Sequence, residues 1–381
     1  GLLNEADALY YECGIRDVVD MLTIDENVTC ATPYHGIASR IKELSRKGNP
    51  RGTIGTGVGE AFRYSERYPD LTIRARDLLG FRLRGLISAT RDQIRMDLAE
   101  AIRCGFLPDD KARAEEDIRL LDDADFFESV VTRFQEVARR FQIVDHDYLR
   151  RKILSRDGVV VVESSHGVLT DCYQGFYPHT SAIRTLPRFT HVMLDEIGYD
   201  GEVKNIAVSR AYQIRHGAGP MPTTDPTMSE SLLPGSSKGE NRYQGKVRTG
   251  PLDLVLLRYA ISVCGGPKTF NGLAITWFDQ PQANGAWQVC GKYRGAEDLK
   301  YFTSAGELRV RYGDDAHQLV YQENLGRALQ RCVPEISSHR ILPSMNQKQF
   351  YDLCTDVLRG SLGVDVRMVS FGPTERDKVC S

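Results

Sequence analysis

After Gly158 the chain runs Val159-Val160-Val161-Val162, a continuous β-branched stretch that predicts a strand buried on both faces. Runs of the same kind recur at Ile206–Ile214, Gly272–Phe278 and Val364–Ser370. Between them lie helical patterns at Leu252–Val263 and at Gln347–Arg359, the second closed by Gly360. Short buried strands alternating with helices predict an α/β fold with a largely parallel central sheet flanked by helices. Parallel sheets hold ligands at the carboxyl ends of their strands. Each of these runs leads into an unusual loop: Glu163-Ser164-Ser165-His166-Gly167, then Arg215–Thr223, then the turn at Asp279, then Ser370-Phe371-Gly372-Pro373. If the loops converge on one edge, they form a composite site.

Residues 1–157 have a different character. They predict mainly helix, with a break near Asp25–Pro33, and with Ile37, Ile41 and Leu44 at helical intervals. Residues 76–104 and 110–155 read as two long amphipathic helices with solvated charged faces. Between these helical stretches lies Gly52-Thr53-Ile54-Gly55-Thr56-Gly57-Val58-Gly59. Such a loop lets backbone N–H groups approach a phosphate, although a flexible turn is an equal reading. No Gly-Lys-Ser/Thr follows, so it is not a Walker loop. The expected organisation is a single domain, with a helical part over 1–157 and an α/β part over 158–381. Trp287–Tyr293 and Leu308–Tyr312 predict strands of a hairpin-rich section. Residues 223–251 form a polar stretch too long for a mere connector.

Charge narrows the partners. The formal net charge is -2 over 381 residues, which argues against a broad basic footprint for nucleic acid. No apolar run reaches the length of a membrane span and no signal peptide is legible, so a cytoplasmic protein is expected. The nine cysteines are scattered without a CxxC pair and read as reduced, mostly buried thiols. Arg215 and Arg248 sit beside glycines, where a guanidinium fork takes phosphate or carboxylate, although a surface arginine is the plainer reading. Asp279 is placed either to accept from the N–H groups of a guanine or to cap the next turn. His166 is a candidate acid–base group or a hydrogen-bonded structural histidine; His35 reads as a helix-start residue.

Taken in order, these segments resemble one family. The glycine loop continuing into Glu60-Ala61-Phe62, then Val162–Gly167, Tyr177-Pro178, Tyr212–Thr223, Arg248–Asp253, Leu257–Ala260, Gly272–Asp279 and Ser370–Arg376 are together similar to the adenylosuccinate synthetases. The resemblance implies a ligase that joins L-aspartate to IMP with GTP and Mg2+, acting as a homodimer. It implies IMP contacts at Thr53, Ile54, Arg67, His166, Thr185 and Arg215. It implies aspartate contacts along Asn241, Arg242, Tyr243, Gln244, Gly245, Lys246, Val247 and Arg248. Guanine would be held by Trp277, Phe278 and Asp279 with Ser370, Phe371 and Gly372.

Departures from the family pattern accompany the match. Its opening Gly-Asp-Glu-Gly-Lys-Gly-Lys run, which carries the catalytic Asp, and a downstream Gly-His pair do not occur in residues 1–381. The resemblance therefore places the base, the acid and the Mg2+ ligands outside this sequence. Ile54 stands for a Thr, His166 for a Gln and Trp277 for a Lys, and Asn241–Val247 replaces the Thr-Thr-Gly-Arg-x-Arg loop. These changes raise two alternatives: a ligase for a different amine or purine, or a non-catalytic relative that binds purine nucleotides.

Overall fold

The computed structural model describes residues 1–232 and 240–380. The chain forms two compact units: Gly1–Val162 with Leu194–Tyr199, and Glu163–Met193 with Asp200–Ser381.

The first unit contains helices α1 (Leu2–Cys13), α2 (Val18–Met21), α3 (Pro33–Leu44), α4 (Val58–Arg67), α5 (Leu83–Cys104), α6 (Pro108–Leu120) and α7 (Ala124–Arg140). Strands β1 (Thr23–Asp25) and β2 (Gln142–Val144) pair in parallel. α3 starts where it does because Thr32 caps it and Pro33 presets its first turn. Thr32 N–H donates to His35 Nδ1 at 3.0 Å, closing the cap from the other side. The buried residues of α5, Leu83, Leu86, Ile87, Thr90, Ile94 and Leu98, fall at helical spacing and pack on Tyr34, Ile37 and Ile41 of α3. Each fully buried aliphatic side chain there contributes roughly 1.5–3 kcal/mol.

The single helix expected over 110–155 is broken. Asp123 accepts from Phe126 N–H at 2.8 Å, so it caps a new helix instead of continuing the old one. An Asp at that place competes with the helical backbone bonds of the preceding turn. The segment then ends in β2 and a single π-helical turn, Leu149–Leu154.

In the second unit, β3 (Ile206–Arg210), β7 (Gly272–Thr276) and β10 (Val366–Ser370) are parallel neighbours, and β11 (Lys378–Cys380) adds an antiparallel edge. β4 (Gln213–His216) pairs antiparallel with β5 (Val247–Gly250). β6 (Leu252–Asp253), β8 (Ala286–Arg294) and β9 (Val333–Arg340) form a third sheet. The helices are α8 (Pro187–Glu196), whose residues from Leu194 on belong to the first unit, α9 (Pro226–Leu232), α10 (Leu254–Val263), α11 (Asp279–Ala283), α12 (Ala316–Leu329) and α13 (Gln347–Leu362). α10 buries apolar residues on two sides because two cores flank it, while Arg258 is half-buried and Ser262 exposed. Leu254 and Ile261 join β7, β10 and α13; Val255, Leu256 and Tyr259 join α12. α13 continues past Gly360 to a left-handed cap at Gly363.

The α/β class with parallel strands and flanking helices is as expected, but several elements differ. Val159–Val162 forms no strand; these valines are 90%, 44%, 85% and 51% exposed. A β-branched run becomes a strand only where a ladder partner exists, and among the described residues none pairs with it. Ile206–Ile214 is interrupted at Ala211, whose N–H turns to Thr276 O at 2.8 Å. Leu308–Tyr312 is not a strand; β8 pairs with β9 instead. The polar stretch 223–251 contains α9 and β5, and its residues 233–239 lie outside the described residues. The cysteines are free but not mostly buried: Cys290, Cys332 and Cys354 are buried, whereas Cys13, Cys104 and Cys380 are exposed. Two of the exposed ones lie at helix ends, where the apolar face has run out. Among the described residues no helix is long and apolar enough to cross a membrane.

Candidate functional site

The glycine loop is built onto α3. Gly52 N–H donates to Glu43 Oε1 at 2.7 Å, Thr53 Oγ1 lies 2.7 Å from Ser39 Oγ, and Arg40 Nη1 donates to Gly55 O at 3.0 Å. The Thr53 hydroxyl also accepts from Gly55 N–H at 3.1 Å, so it shapes the loop from within. Ile54 is half exposed on the same loop. Arg67 is not at the loop. It is the last residue of α4, roughly 14 Å of helical rise from Val58. Its side chain is 69% exposed, with the guanidinium 3.8 Å from Asp97 and 5.0 Å from the Tyr68 ring centroid.

His35 lines a cavity of about 210 Å3 together with Lys42, Glu60, Tyr64 and Arg67. Its Nδ1 is committed to Thr32, and its buried Nε2 has no hydrogen-bond partner among the described residues. Burial is the main cause that pulls its pKa down to about 4; Glu60 opposes this and Lys42 adds to it. The unfolded chain therefore binds a proton near pH 6.5 that the folded chain refuses until about pH 4. Stability should be full above pH 6.5 and fall as the pH drops toward 4, by up to roughly 3 kcal/mol. Urea midpoints of the His35→Gln variant should show a flatter dependence over that window than the wild type.

In the second unit, β4 and β5 put Arg215 directly opposite Arg248. Arg215 donates to Ala218 O and His179 O, both at 2.9 Å. Arg248 donates to Gly217 O and Gly219 O, both at 2.8 Å. The two forks thereby wrap the Arg215–Thr223 loop around themselves. No ion pair to a carboxylate is formed by either among the described residues. Burial, and then the neighbouring Arg248 charge, pulls the Arg215 guanidinium down to about 10; burial also lowers Arg248. Two adjacent, partly desolvated cations that meet carbonyls and one hydroxyl, but no carboxylate among the described residues, make a place where an anion gains energy.

The segment from Asn241 to Val247 is a tight turn leading into β5. Asn241 Oδ1 accepts from Tyr243 N–H and Gln244 N–H, each at 2.9 Å, and Asn241 and Gly245 exchange backbone bonds. Arg242 and Lys246 are exposed, and the Arg242 guanidinium lies 6.0 Å from the Tyr243 ring centroid.

The ends of β7 and β10 do converge, since Phe278 N–H donates to Ser370 O at 2.9 Å. The Phe278 ring is fully buried against Trp287, Phe350 and Phe371, so its side chain serves the core. Ser370 is buried with its hydroxyl on Gly372 O at 3.0 Å. Asp279 opens α11 and accepts from Gln280. Trp277 has φ 62, a left-handed backbone that is strained for a bulky residue. Its ring meets Tyr212 edge-on at 6.2 Å, with the Arg210 guanidinium 5.7 Å away. The buried Tyr212 hydroxyl has no hydrogen-bond partner among the described residues; burial pushes its pKa up to about 12, with the Arg210 charge opposing and Asp279 assisting.

Two of the four expected loops thus meet at adjacent parallel strand ends. The Arg215 loop follows an antiparallel strand. The Glu163–Gly167 loop follows no strand, and His166 within it is exposed at φ 63. Thr185 is buried, with N–H on Asp171 Oδ2 at 2.7 Å and its hydroxyl 3.3 Å from Gly167 O. Among the described residues no group of three or more His, Cys, Asp or Glu is arranged to hold a metal ion. The Mg2+ of the resemblance therefore meets no ready ligand cluster among the described residues.

Sequence reasoning missed several supports. Asp171 holds Thr185, and Arg40 with Asp117 holds the glycine loop. It also missed Asp253, which caps α10 through Val255 N–H and Leu256 N–H at 3.1 Å and accepts from Tyr293 O–H at 2.5 Å. Burial pushes the Asp253 carboxyl up to about 6 despite these donors. Its folded pKa exceeds the unfolded one, so it costs stability as the pH rises from about 4 to 6. Tyr293→Phe should destabilise by about 2 kcal/mol near pH 8, where the carboxylate loses a charge-assisted donor, and by less near pH 5. Paired urea titrations at the two pH values measure this.

The sequence model of the adenylosuccinate synthetases matches residues 1–379. The adenylosuccinate synthetase of Myxococcus xanthus is 28% identical over 297 residues, covering 77% of this chain and 63% of that protein. The chain therefore spans less than two thirds of that relative. The enzyme of Caldanaerobacter subterraneus subsp. tengcongensis is 24% identical, covering 99% of this chain and 81% of that protein. A solved structure of fully ligated adenylosuccinate synthetase from Plasmodium falciparum has the same fold, with TM-score 0.69 and 14% identity over 99% of this chain and 82% of that one.

Proposed function

Because the chain belongs to the adenylosuccinate synthetase family, we propose that it serves the GTP-dependent joining of L-aspartate to IMP. In that reaction GTP phosphorylates the purine 6-oxygen and the aspartate amine then displaces the phosphate. The base and acid are assigned by the resemblance to a segment outside residues 1–381. What these residues contribute is binding and orientation.

The observation that carries the reading is the cross-strand pair Arg215 and Arg248, half-buried, adjacent and, among the described residues, bonded only to carbonyls and to the Thr224 hydroxyl. By the resemblance, Arg215 serves IMP and Arg248 an aspartate carboxylate. Both ligands are anions, which is what two desolvated guanidinia favour. At the ends of β7 and β10, Asp279 would accept from the N–H groups of guanine, with Trp277, Phe371 and Gly372 beside the base. A homodimer belongs to the same reading, with the exposed Arg67 guanidinium at the end of α4 reaching a second copy.

Calorimetric titration of the chain with GTP, ATP and IMP tests this, alongside phosphate release in the presence of IMP, L-aspartate, GTP and Mg2+. Binding of IMP, and of GTP in preference to ATP, is the expected result. Failure to bind any purine nucleotide would overturn it. Nucleotide binding without aspartate-dependent phosphate release would favour the non-catalytic relative.

A further inference from the structure

α3 turns Gly36, Ser39, Arg40 and Glu43 to one side, at spacings of three, four and seven residues. That face carries the glycine loop, and Arg40 makes the farthest-reaching contact. Its Nε donates to Asp117 Oδ2 at 2.9 Å and Oδ1 at 3.1 Å, and its Nη2 pairs with the same carboxylate. Asp117 lies on α6, and its side chain is only 8% exposed. A guanidinium clamped this way cannot swing, so the remaining Nη1 has one direction, toward Gly55 O at 3.0 Å.

The consequence follows from peptide geometry. In a planar trans peptide the C=O and N–H of one unit point opposite ways. With Gly55 C=O drawn back to α3, the N–H of the same unit, on Thr56, points away from it. Thr56 is exposed, and no hydrogen bond within the described residues occupies that N–H. We propose that Arg40, locked by Asp117, is the positioning residue that turns the Gly55–Thr56 peptide outward, so that Thr56 N–H is a preset donor to the phosphate of the bound purine nucleotide. The inference rests on the reading that this loop holds the IMP phosphate.

The test uses the full chain and two probes, IMP and inorganic phosphate. Affinity is read by calorimetry, and the Thr56 amide is read by proton–nitrogen correlation spectra. In the wild type, both probes should shift the Thr56 amide. Asp117→Asn and Arg40→Lys should each weaken IMP by about tenfold or more, while inosine, which lacks the phosphate, changes by less than about twofold. Asp117→Glu, which keeps a carboxylate, should recover part of the loss. A merely structural role would weaken IMP and inosine alike, and that result would overturn the proposal, as would unchanged IMP affinity in both variants. If the wild type binds no IMP, the functional reading fails. The loop proposal is then decided by inorganic phosphate: a Thr56 shift that Arg40→Lys abolishes sustains it, and no shift sinks it.

Discussion

Gly250→Ala is expected to disrupt the cross-strand Arg215–Arg248 pair and to destabilise the second unit by more than about 3 kcal/mol. Gly250 ends β5, where the strand passes against the backbone leading into α9. A Cβ built there would lie 1.6 Å from Thr223 O and 2.6 Å from Thr223 C. Neither neighbour is a movable side-chain tip, so the backbone itself would have to retreat. That retreat would break Asp225 N–H to Thr249 O, at 2.8 Å, and the Thr249 N–H bond to Ser229 Oγ, at 2.9 Å. It would also shift Arg248, the preceding-but-one residue, from the carbonyls of Gly217 and Gly219. Urea unfolding followed by far-ultraviolet circular dichroism measures the loss. Gly291→Ala is the control: that glycine is also in a strand, but no atom of the described residues lies within 4 Å of its added Cβ beyond its chain neighbours. It should change stability by less than about 1 kcal/mol.

The glycine loop predicts an effect of similar size in the first unit. Gly57 has φ 87, and an added Cβ would sit 2.3 Å from Gly36 N and 2.4 Å from His35 C. Gly57→Ala therefore meets two penalties together. The left-handed backbone costs about 1–3 kcal/mol for a residue with a Cβ. The collision with α3 costs about 1–3 kcal/mol more, because α3 is pinned by its cap and its core face. Gly48 separates them: it has the same φ of 87 and open space around it. Gly48→Ala should show the backbone term alone. If both variants lose the same stability, the close approach of loop to helix is not a feature of the folded protein.

Much of the candidate site was legible before any geometry. Glycines beside arginines, an Asp at a strand's end and a polar stretch beyond them identified the segments, and the family resemblance ordered them. Their mutual arrangement was not legible. Arg215 and Arg248 are 33 positions apart in sequence, and their cross-strand pairing arises from the ladder between β4 and β5. Asp117 lies in the stretch 110–155, whose pattern predicts solvated charged faces, because periodicity cannot tell a solvated carboxylate from one that holds an arginine on another helix. Phe278 was placed beside the base by its position in a motif, whereas packing against Trp287 and Phe350 turns its ring into the core.

The sequence by itself determined the class of fold, the family, the helices with strong caps and periodic faces, and the parallel run of β7 and β10. These follow from local pattern: apolar spacing, capping side chains and short β-branched segments act over a few residues. Only the tertiary structure decided whether a run with strand propensity becomes a strand. Val159–Val162, the clearest such run in the chain, is exposed and unpaired among the described residues, while the less regular Val333–Arg340 is a full strand against β8. A strand is stabilised by hydrogen bonds to a neighbour and by burial on its faces, and neither is encoded in the strand's own residues.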